Sequence, residues 1–561
     1  MLLQDHFVRT FYDVVKATHP VIMVNVDVDA LCALMILSNC FNMDDVQYTV
    51  VYVDSPASFD TRLRSFGDVG KNIILINCYG HLSFEEAELP GQHKFFIIDS
   101  RRPFHLDNVF SNHISILTYS KEMTSWNLPK IEQVYMESDS SSDEDDGGED
   151  RELMVQQRII RNAAKAEWSR KRADIIWDYY ARTWYSIPSA VLLLELAHSM
   201  NKSNANFAWC AAVALSSQFT DNLISFDQYA SICTDHMKQF VLKFGQKQKN
   251  CGDLMNITFD EEILLPLYRK WNLYSAMTHD ITFCCQNAFW NQKGENVLKH
   301  TISELGIALD EVHKSFDSLP SSRRKEIFDI LNKYLDSKFV TFFAQYGYHQ
   351  KFTAVDFARI MASKLELKLA TANHDLIKRV ESAKKLLTTF FENNGHDTSI
   401  PPAIALYQKG LDAVRGLVFH ALLHSQVTAA AENFYVLTLD SSQDIIYLSS
   451  RHFLNMFVHF ILTGFAISKN KKRSSKPIIF LIPSMTNDEN RFWTITGAMP
   501  YIDMVRETER KSSLPIAFKK VTENQHIPIT RDSFDPNILQ IRHEDKVKFV
   551  EHLDVMLENF N

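Results

Sequence analysis

The sequence predicts an α/β protein: an N-terminal doubly wound, mostly parallel sheet, a helical middle region and a smaller C-terminal α/β domain. Three observations predict it. The first 120 residues alternate β-branched apolar runs with helix-sized connections, as a parallel sheet with crossovers requires. From about 189 to 395 the pattern is helical, interrupted by Gly245, Gly252, Pro266, Gly294, Gly306 and Pro320. After NNGHDTSIPP (393–402), strand-like and helix-like runs alternate again. A single core stops growing at roughly 250–300 residues. A chain of 561 residues is therefore divided here into 1–225, 226–395 and 396–561. No internal repeat is found.

In order along the chain, strands are expected at 21–26, 46–53 (VQYTVVYV), 72–77 (NIILIN), 94–99 (KFFIID) and 114–118 (ISILT). Residues 137–152 carry nine acids and one arginine and no apolar side chain, so they are expected to form a disordered loop. A long helix is expected over 152–178. It places Arg158, Arg161, Lys165, Trp168 and Arg172 on one stripe, with Val155, Ile159, Ala163, Ala166, Ala173 and Trp177 near the opposite face. Its plain reading is a solvated stripe on a helix packed against the first domain; its sharper reading is phosphate or acidic-partner contact. In the C-terminal part, a helix near 403–425 precedes FYVLTL (434–439) and DIIYLS (444–449). A helix at 451–467 then leads to PIIFLIP (477–483) and FWTITG (492–497).

Composition excludes several classes. No apolar run approaches the ~18–20 residues of a membrane span, and the N-terminus lacks the pattern of a secretory signal. The eight cysteines show neither CxxC nor zinc spacing and read as reduced thiols. Most of the net charge of −9 resides in the acidic segment, which leaves the folded body near neutral. Bulk nucleic-acid binding is therefore not expected, only local contact. Ser138, Ser140, Ser141 and Ser142 lie beside acids and suit an acidophilic kinase. KNKKRSSK (469–476) reads equally as a nuclear-import signal or a solvated loop. Phe283, Phe289, Trp290, Phe342, Phe343, Tyr346 and Tyr348 read as core or as interface anchors.

The chemistry-bearing positions lie at strand ends. VIMVNVDVD delivers Asn25, Asp27 and Asp29; LINC delivers Asn77; FIIDSRRP delivers Asp99, Ser100, Arg101 and Arg102. Carboxylates at the carboxyl ends of parallel strands mark the usual place for a metal or phosphate site. Here an amide, a hydroxyl and two guanidinium groups stand where further acids or imidazoles would be needed.

These motifs resemble the DHH phosphoesterase superfamily, whose RecJ-type nucleases hold two divalent metals with aspartates and histidines. DVDALCA, the asparagine of LINC, the Asp-Ser-Arg-Arg-Pro ending and the acidic serine-rich insert before an Arg/Trp helix that runs into WDYY resemble its eukaryotic replication-factor branch. FAQYGYHQKFTAVDFARIM (343–361) is similar to that branch's linker, and the likeness runs the length of the chain. The resemblance implies a DHH-like N-terminal domain and a DHHA1-like C-terminal domain. Carried over by position, it implies vestigial Asp27, Asp29 and Asp99 and degenerate Asn25, Asn77, Ser100, Arg101 and Ser217. Three acids beside Arg101 do not suit two divalent ions held ~3.5–4 Å apart. No metal, cofactor or hydrolysis is then expected. Asp29 is expected to cap the following helix and Asp99 to pair with Arg101 or Arg102. The turn TITGAMPYI has Gly497 without the superfamily's neighbouring histidine. The implied role is a nuclear, non-enzymatic scaffold that joins the hexameric MCM ring to the GINS complex and other replication factors. Weak single-strand contact is expected through Arg101, Arg102, Arg158, Arg161, Lys165 and Arg172. The competing reading is a working metal-dependent phosphoesterase that recruits His81, His93 or His105.

Overall fold

Continuous apolar strands need cover on both faces, and the first sheet has it. The computed structural model describes residues 2–558 except 4–5, 68–69, 85–92, 125, 136–150, 246–255, 336–338, 347–349, 369–375, 393–398, 430–431, 468–474, 485–491 and 507–508. The strands of the N-terminal region are β1 (Leu2–Leu3), β2 (Val21–Asn25), β3 (Thr49–Val53), β4 (Asn72–Ile76), β5 (Lys94–Ile98), β6 (Arg101–Arg102), β7 (Ile114–Leu117) and β8 (Thr183–Tyr185). Six of them form one sheet in the order β1-β7-β5-β4-β2-β3, with every pairing parallel. Ile22, Val24, Ile74, Ile76, Phe96 and Ile98 enter one buried layer. Met23, Ile73, Leu75, Phe95 and Ile97 enter the layer on the other face. With both faces buried no polar alternation is needed, which is why the sequence reads as unbroken apolar runs. The chain reverses its direction of growth between β2 and β4. That reversal is the switch point at which an open α/β sheet opens a crevice.

Over one face lie α1 (Val28–Met43), α3 (Ser189–Ser199) and α4 (Ala205–Thr220), all largely buried. Trp209 of α4 stacks on Phe390 at 5.5 Å. The same core continues through α5 (Ala354–Glu366), α6 (Ile400–Leu423) and α7 (Arg451–Ile467) into the C-terminal sheet. Gly410 of α6 lies against the Phe453 ring of α7, where an added methyl group would overlap it. Gly410→Ala is expected to cost about 1–3 kcal/mol by overpacking, read as a lower urea midpoint at unchanged slope.

The expected strands of the first sheet all form, each ending within a residue or so of its expected limit except that β3 begins at Thr49. Three expectations are corrected. First, the middle region is not wholly helical. Asn256–Glu262, Phe339–Tyr346 and Gln350–Thr353 make a three-stranded antiparallel sheet. Phe339, Thr341, Phe342, Phe343 and Ala344 are all buried, so the run lacks the period of two that identifies a half-exposed strand. Second, 444–449 is no strand but part of a 3₁₀ turn, Gln443–Ser449. Its buried residues, Ile445 and Leu448, are three apart, the 3₁₀ period. Third, the long helix α2 (Arg151–Tyr180) is not packed along its length. Ile159, Ala163, Ala166 and Ala173 are exposed, because alanines offer too little apolar surface to hold a helix down. Among its described side chains, the apolar anchorage is at the C-terminal end, through Ile176, Tyr179 and Tyr180 against Leu106 and Val134.

The C-terminal sheet runs Val427–Thr428, Tyr435–Thr438, Ile478–Pro483, Phe492–Ala498, Leu539–Arg542, with a single parallel pairing. Sequence reasoning missed its last strand, LQIR. A separate small sheet joins β6, β8 and Lys511–Ser512, so Arg101 and Arg102 are clamped between distant segments. Phe283, Phe289, Phe342 and Phe343 are core residues. The cysteines other than Cys251 are buried and free. Among the described residues no single helix is long and apolar enough to cross a membrane. Ser138, Ser140, Ser141, Ser142, Tyr348 and most of the 469–476 cluster lie outside the described residues.

Candidate functional site

The strand register sets the site. Val24 pairs with Ile76, and Ile76 with Ile98, so the residues leaving β2, β4 and β5 emerge side by side at the switch point. Asn25, Asp27, Asp29, Asn77, Asp99, Ser100 and Arg101 are all brought together there, each buried.

Asp27 leaves β2 in extended conformation and becomes the N-cap of α1, accepting the Ala30 N–H at 2.7 Å. Its other oxygen accepts from the Asn25 amide at 2.6 Å and faces Arg101 Nη2 at 3.5 Å. Asp29, expected to cap α1, does not; it caps a different helix. Pro188 precedes α3 and offers no side-chain acceptor, so the first N–H groups of α3 depend on an outside carboxylate. Asp29 supplies it, accepting from Ser189 N and Ala190 N at 3.0 Å each.

Asn77 is the centre of the cluster. It has left-handed backbone (φ 51°), which asparagine tolerates better than most residues. Its amide nitrogen donates to Asp29 at 2.8 Å and to Asp27 at 3.2 Å. Its amide oxygen accepts from Ser189 Oγ at 2.6 Å and from the Ser100 N–H at 3.3 Å. Only a side chain with both a donor and an acceptor can bridge two carboxylates and still receive two protons.

Asp99 accepts the Arg101 N–H at 2.9 Å, and its second oxygen lies 3.7 Å from Arg101 Nη1. The expected pairing of Asp99 with Arg101 is therefore seen. Arg101 also donates to the Asn77 carbonyl at 2.6 Å. Arg102 is committed elsewhere. It makes a forked pair with Glu122 at 2.7 and 3.2 Å and stacks on Phe104 and Trp126 at 4.3 and 5.0 Å. With both guanidinium groups buried, neither forms an open phosphate grip in this conformation.

Burial, then the neighbouring Asp27 charge, pushes the Asp29 carboxyl up to about 6 against three hydrogen bonds that lower it. Burial likewise raises Asp99 despite Arg101. For Arg101, burial opposes the charge, but Asp99, Tyr185 and Asp27 overcome it and hold the guanidinium firmly ionised.

Ser217 bonds back to Ala214 O within α4, at 2.8 Å. The carboxylate of that region is Asp221, just beyond the helix, which sequence reasoning missed. It accepts from Arg451 at 3.1 Å and meets His452 Nδ1 at 2.6 Å. Arg451 lies 3.8 Å from Glu366. These groups lead into a cleft of about 500 Å³ lined by Asp27, Arg101, Asp54, Arg379, Glu366 and Arg451. Its cations are matched: Arg379 faces Asp54 at 3.9 Å, and Lys368 faces Asp532 at 4.0 Å. The separated charges carry no sequence period, so only the fold reveals the cleft.

Among the described residues no group of three or more His, Cys, Asp or Glu converges with metal-binding geometry. His93 accepts the Lys71 N–H through Nδ1 at 3.1 Å, and His105 pairs with Asp107 at 3.2 Å. His81 is held neutral by burial and by Arg101. Lys165 is exposed, whereas Arg172 donates to Val134 O at 2.6 Å and packs over Trp168. The side chains of Arg158 and Arg161 lie outside the described residues.

With this geometry in hand, the comparisons with known proteins are specific. The cell division control protein 45 homolog of Homo sapiens is 24% identical over 581 residues, covering 99% of this chain and 100% of that protein. The cell division control protein 45 of Saccharomyces cerevisiae is 19% identical and covers 94% of each chain. The crystal structure of CDC45 from Entamoeba histolytica superposes with a TM-score of 0.69 at 17% identity, covering 100% of both chains. The CDC45 family model matches residues 21–158 and 135–399, more than half of the sequence. The chain therefore belongs to the cell division control protein 45 family.

Proposed function

We propose that this chain is a non-enzymatic scaffold subunit of the replicative DNA helicase, bridging the MCM ring and the GINS complex in the nucleus. One observation carries the inactive part of the reading. Asp27, Asp29 and Asp99 are already occupied by the Asn77 amide, the Arg101 guanidinium and four main-chain N–H groups. A pair of divalent ions would have to break those bonds and sit beside a fixed cation, at a Coulombic cost that low dielectric enlarges. Membership of the family supports the replication role. The exposed length of α2, with Lys165 outward, supports partner contact through that helix. The matched charges of the cleft support only weak single-strand contact, since affinity for a phosphate backbone scales with unneutralised cations.

The test has two arms. Tagged full-length chain recovered from nuclear extract is expected to bring MCM and GINS subunits in comparable amount. The purified chain is expected to leave a labelled single strand intact in manganese. Manganese-dependent cleavage that disappears in Asp27→Ala, without recovery of those subunits, would overturn the proposal.

A further inference from the structure

Beside the strand-end cluster, whose Arg101 and Arg102 line the same cavity, the half-buried cation Arg510 carries buried donors that meet no acceptor among the described residues. Arg510 immediately precedes the strand Lys511–Ser512, whose pairing with β8 fixes it in place. Its main-chain N–H reaches Gln228 Oε1 at 3.4 Å. Its side-chain Nε and Nη1 are buried and, among the described residues, meet no acceptor. His459 of α7 has a buried Nδ1 in the same condition. Both residues line a cavity of about 160 Å³ between α7 and the C-terminal sheet, with apolar walls that include Val458, Leu462 and Met499.

An arginine cannot relieve burial by losing its proton at neutral pH. Buried guanidinium donors left without an acceptor are costly, because they have lost water and gained nothing in return. The carboxylates that also line the cavity are largely engaged elsewhere. Asp221 holds Arg451 and His452, Glu509 holds Lys511 at 2.7 Å, and Asp535 accepts from Tyr185 and Asn537. Asp503 lines the cavity too but forms no ion pair with Arg510. Burial and the Arg510 charge push His459 down to about 3, so it enters as a neutral hydrogen-bonding ring and adds no charge of its own. The cavity thus presents a fork of unused N–H donors beside the apolar residues Val458, Leu462 and Met499, with its charged lining mostly paired elsewhere.

We propose that this cavity is a binding site for a compact oxyanion of the phosphate class, held by Arg510 Nε and Nη1 with His459 Nδ1 as a neutral partner. A forked guanidinium matches two oxygens of a tetrahedral anion, and the apolar side chains beside it strengthen the pair. The anion is either free inorganic phosphate or the phosphate of a nucleic acid strand.

The experiment uses the full chain in phosphate-free buffer, titrated with inorganic phosphate by calorimetry and by thermal denaturation. Saturable one-to-one binding and a phosphate-dependent rise in Tm are expected. Arg510→Met is expected to bind phosphate at least tenfold more weakly. Its Tm without phosphate should be unchanged or higher, because an unpaired charge has been removed. His459→Leu is expected to weaken binding a few-fold, an independent check on the part the ring plays in the site. A single-stranded oligonucleotide that displaces phosphate assigns the site to a strand; one that leaves phosphate bound assigns it to the free ion. Absence of saturable phosphate binding, equal affinity in Arg510→Met, or a lower Tm of that variant without phosphate would overturn the proposal. None of these readouts depends on MCM, GINS or cleavage, so this site and the scaffold role fail separately.

Discussion

Asp29→Ala is expected to destabilise the protein by about 3–5 kcal/mol, the range for breaking a buried charged hydrogen-bond network. The carboxylate ties three elements that are distant in sequence: its own helix α1, the loop after β4 through Asn77, and the start of α3. Truncation leaves Ser189 N, Ala190 N and one N–H of the Asn77 amide, which keeps its bond to Asp27, without an acceptor among buried groups. Asp29→Asn, which retains one acceptor oxygen, should lose less. The pair separates cap loss from charge loss. The pH dependence has a definite sign. Asp29 binds its proton more tightly folded, near 6, than at its ordinary value of 3.8, so protonation favours the folded state. Its contribution improves as pH falls from about 6 towards 4 and worsens in the opposite direction. Unfolding by urea between pH 4 and 7 should therefore show Asp29→Asn gaining on the parent chain as pH rises. A difference that stays flat across that window would mean that Asp29 is not raised.

The same residues show how far a sequence carries the argument. VIMVN, NIILI and KFFII announce buried parallel strands because nothing polar interrupts them, and strand order then forces their ends together. That much is local chemistry plus topology. The sequence also shows that the strand-end set is odd, since an amide, a hydroxyl and a guanidinium (Asn77, Ser100 and Arg101) stand beside its carboxylates. It does not show which aspartate caps which helix. Asp27 and Asp29 are two residues apart and chemically identical. Only the packing of α3, 160 positions later, assigns Asp29 to it. Asp221, Glu366, Arg451 and His452 escaped notice for the same reason, being partners across 85 to 231 positions. The strand Phe339–Tyr346 escaped for a different one. Burial on both faces erased its alternation, and the segment before it, Ser321–Tyr334, is helical.

Arg102 illustrates a further limit. Next to Arg101 after the third strand, it looks like half of a phosphate clamp, yet the two guanidinium groups diverge. One turns into the carboxylate cluster, and the other turns away to Glu122 between two aromatic rings. Adjacent residues on a strand point to opposite faces, so a pair of neighbouring arginines on a strand is seldom a single site. The positive charge left at the strand ends is therefore one guanidinium, set against three carboxylates that it only partly balances.

That balance makes Asn77→Asp the most informative isosteric change. It alters one nitrogen to oxygen, so packing is untouched, yet it removes two donated hydrogen bonds and places a third carboxylate between Asp27 and Asp29. The expected cost near neutral pH is about 3–5 kcal/mol, from lost pairing and like-charge burial together. The introduced carboxyl must be raised in the folded state, so stability is regained as pH falls through that raised value towards the ordinary carboxylate range. Manganese is the second variable. If the cluster preserves only the outline of a metal site, with Arg101 still pinned among the acids, manganese should not restore the loss in Asn77→Asp alone. It should restore part of it in Asn77→Asp combined with Arg101→Ala, where the fixed cation is gone. Thermal denaturation of the single and double variants with and without manganese decides the matter. Full restoration by metal in the single variant would show that Arg101 is no obstacle, and that the asparagine alone separates this cleft from one able to hold metal.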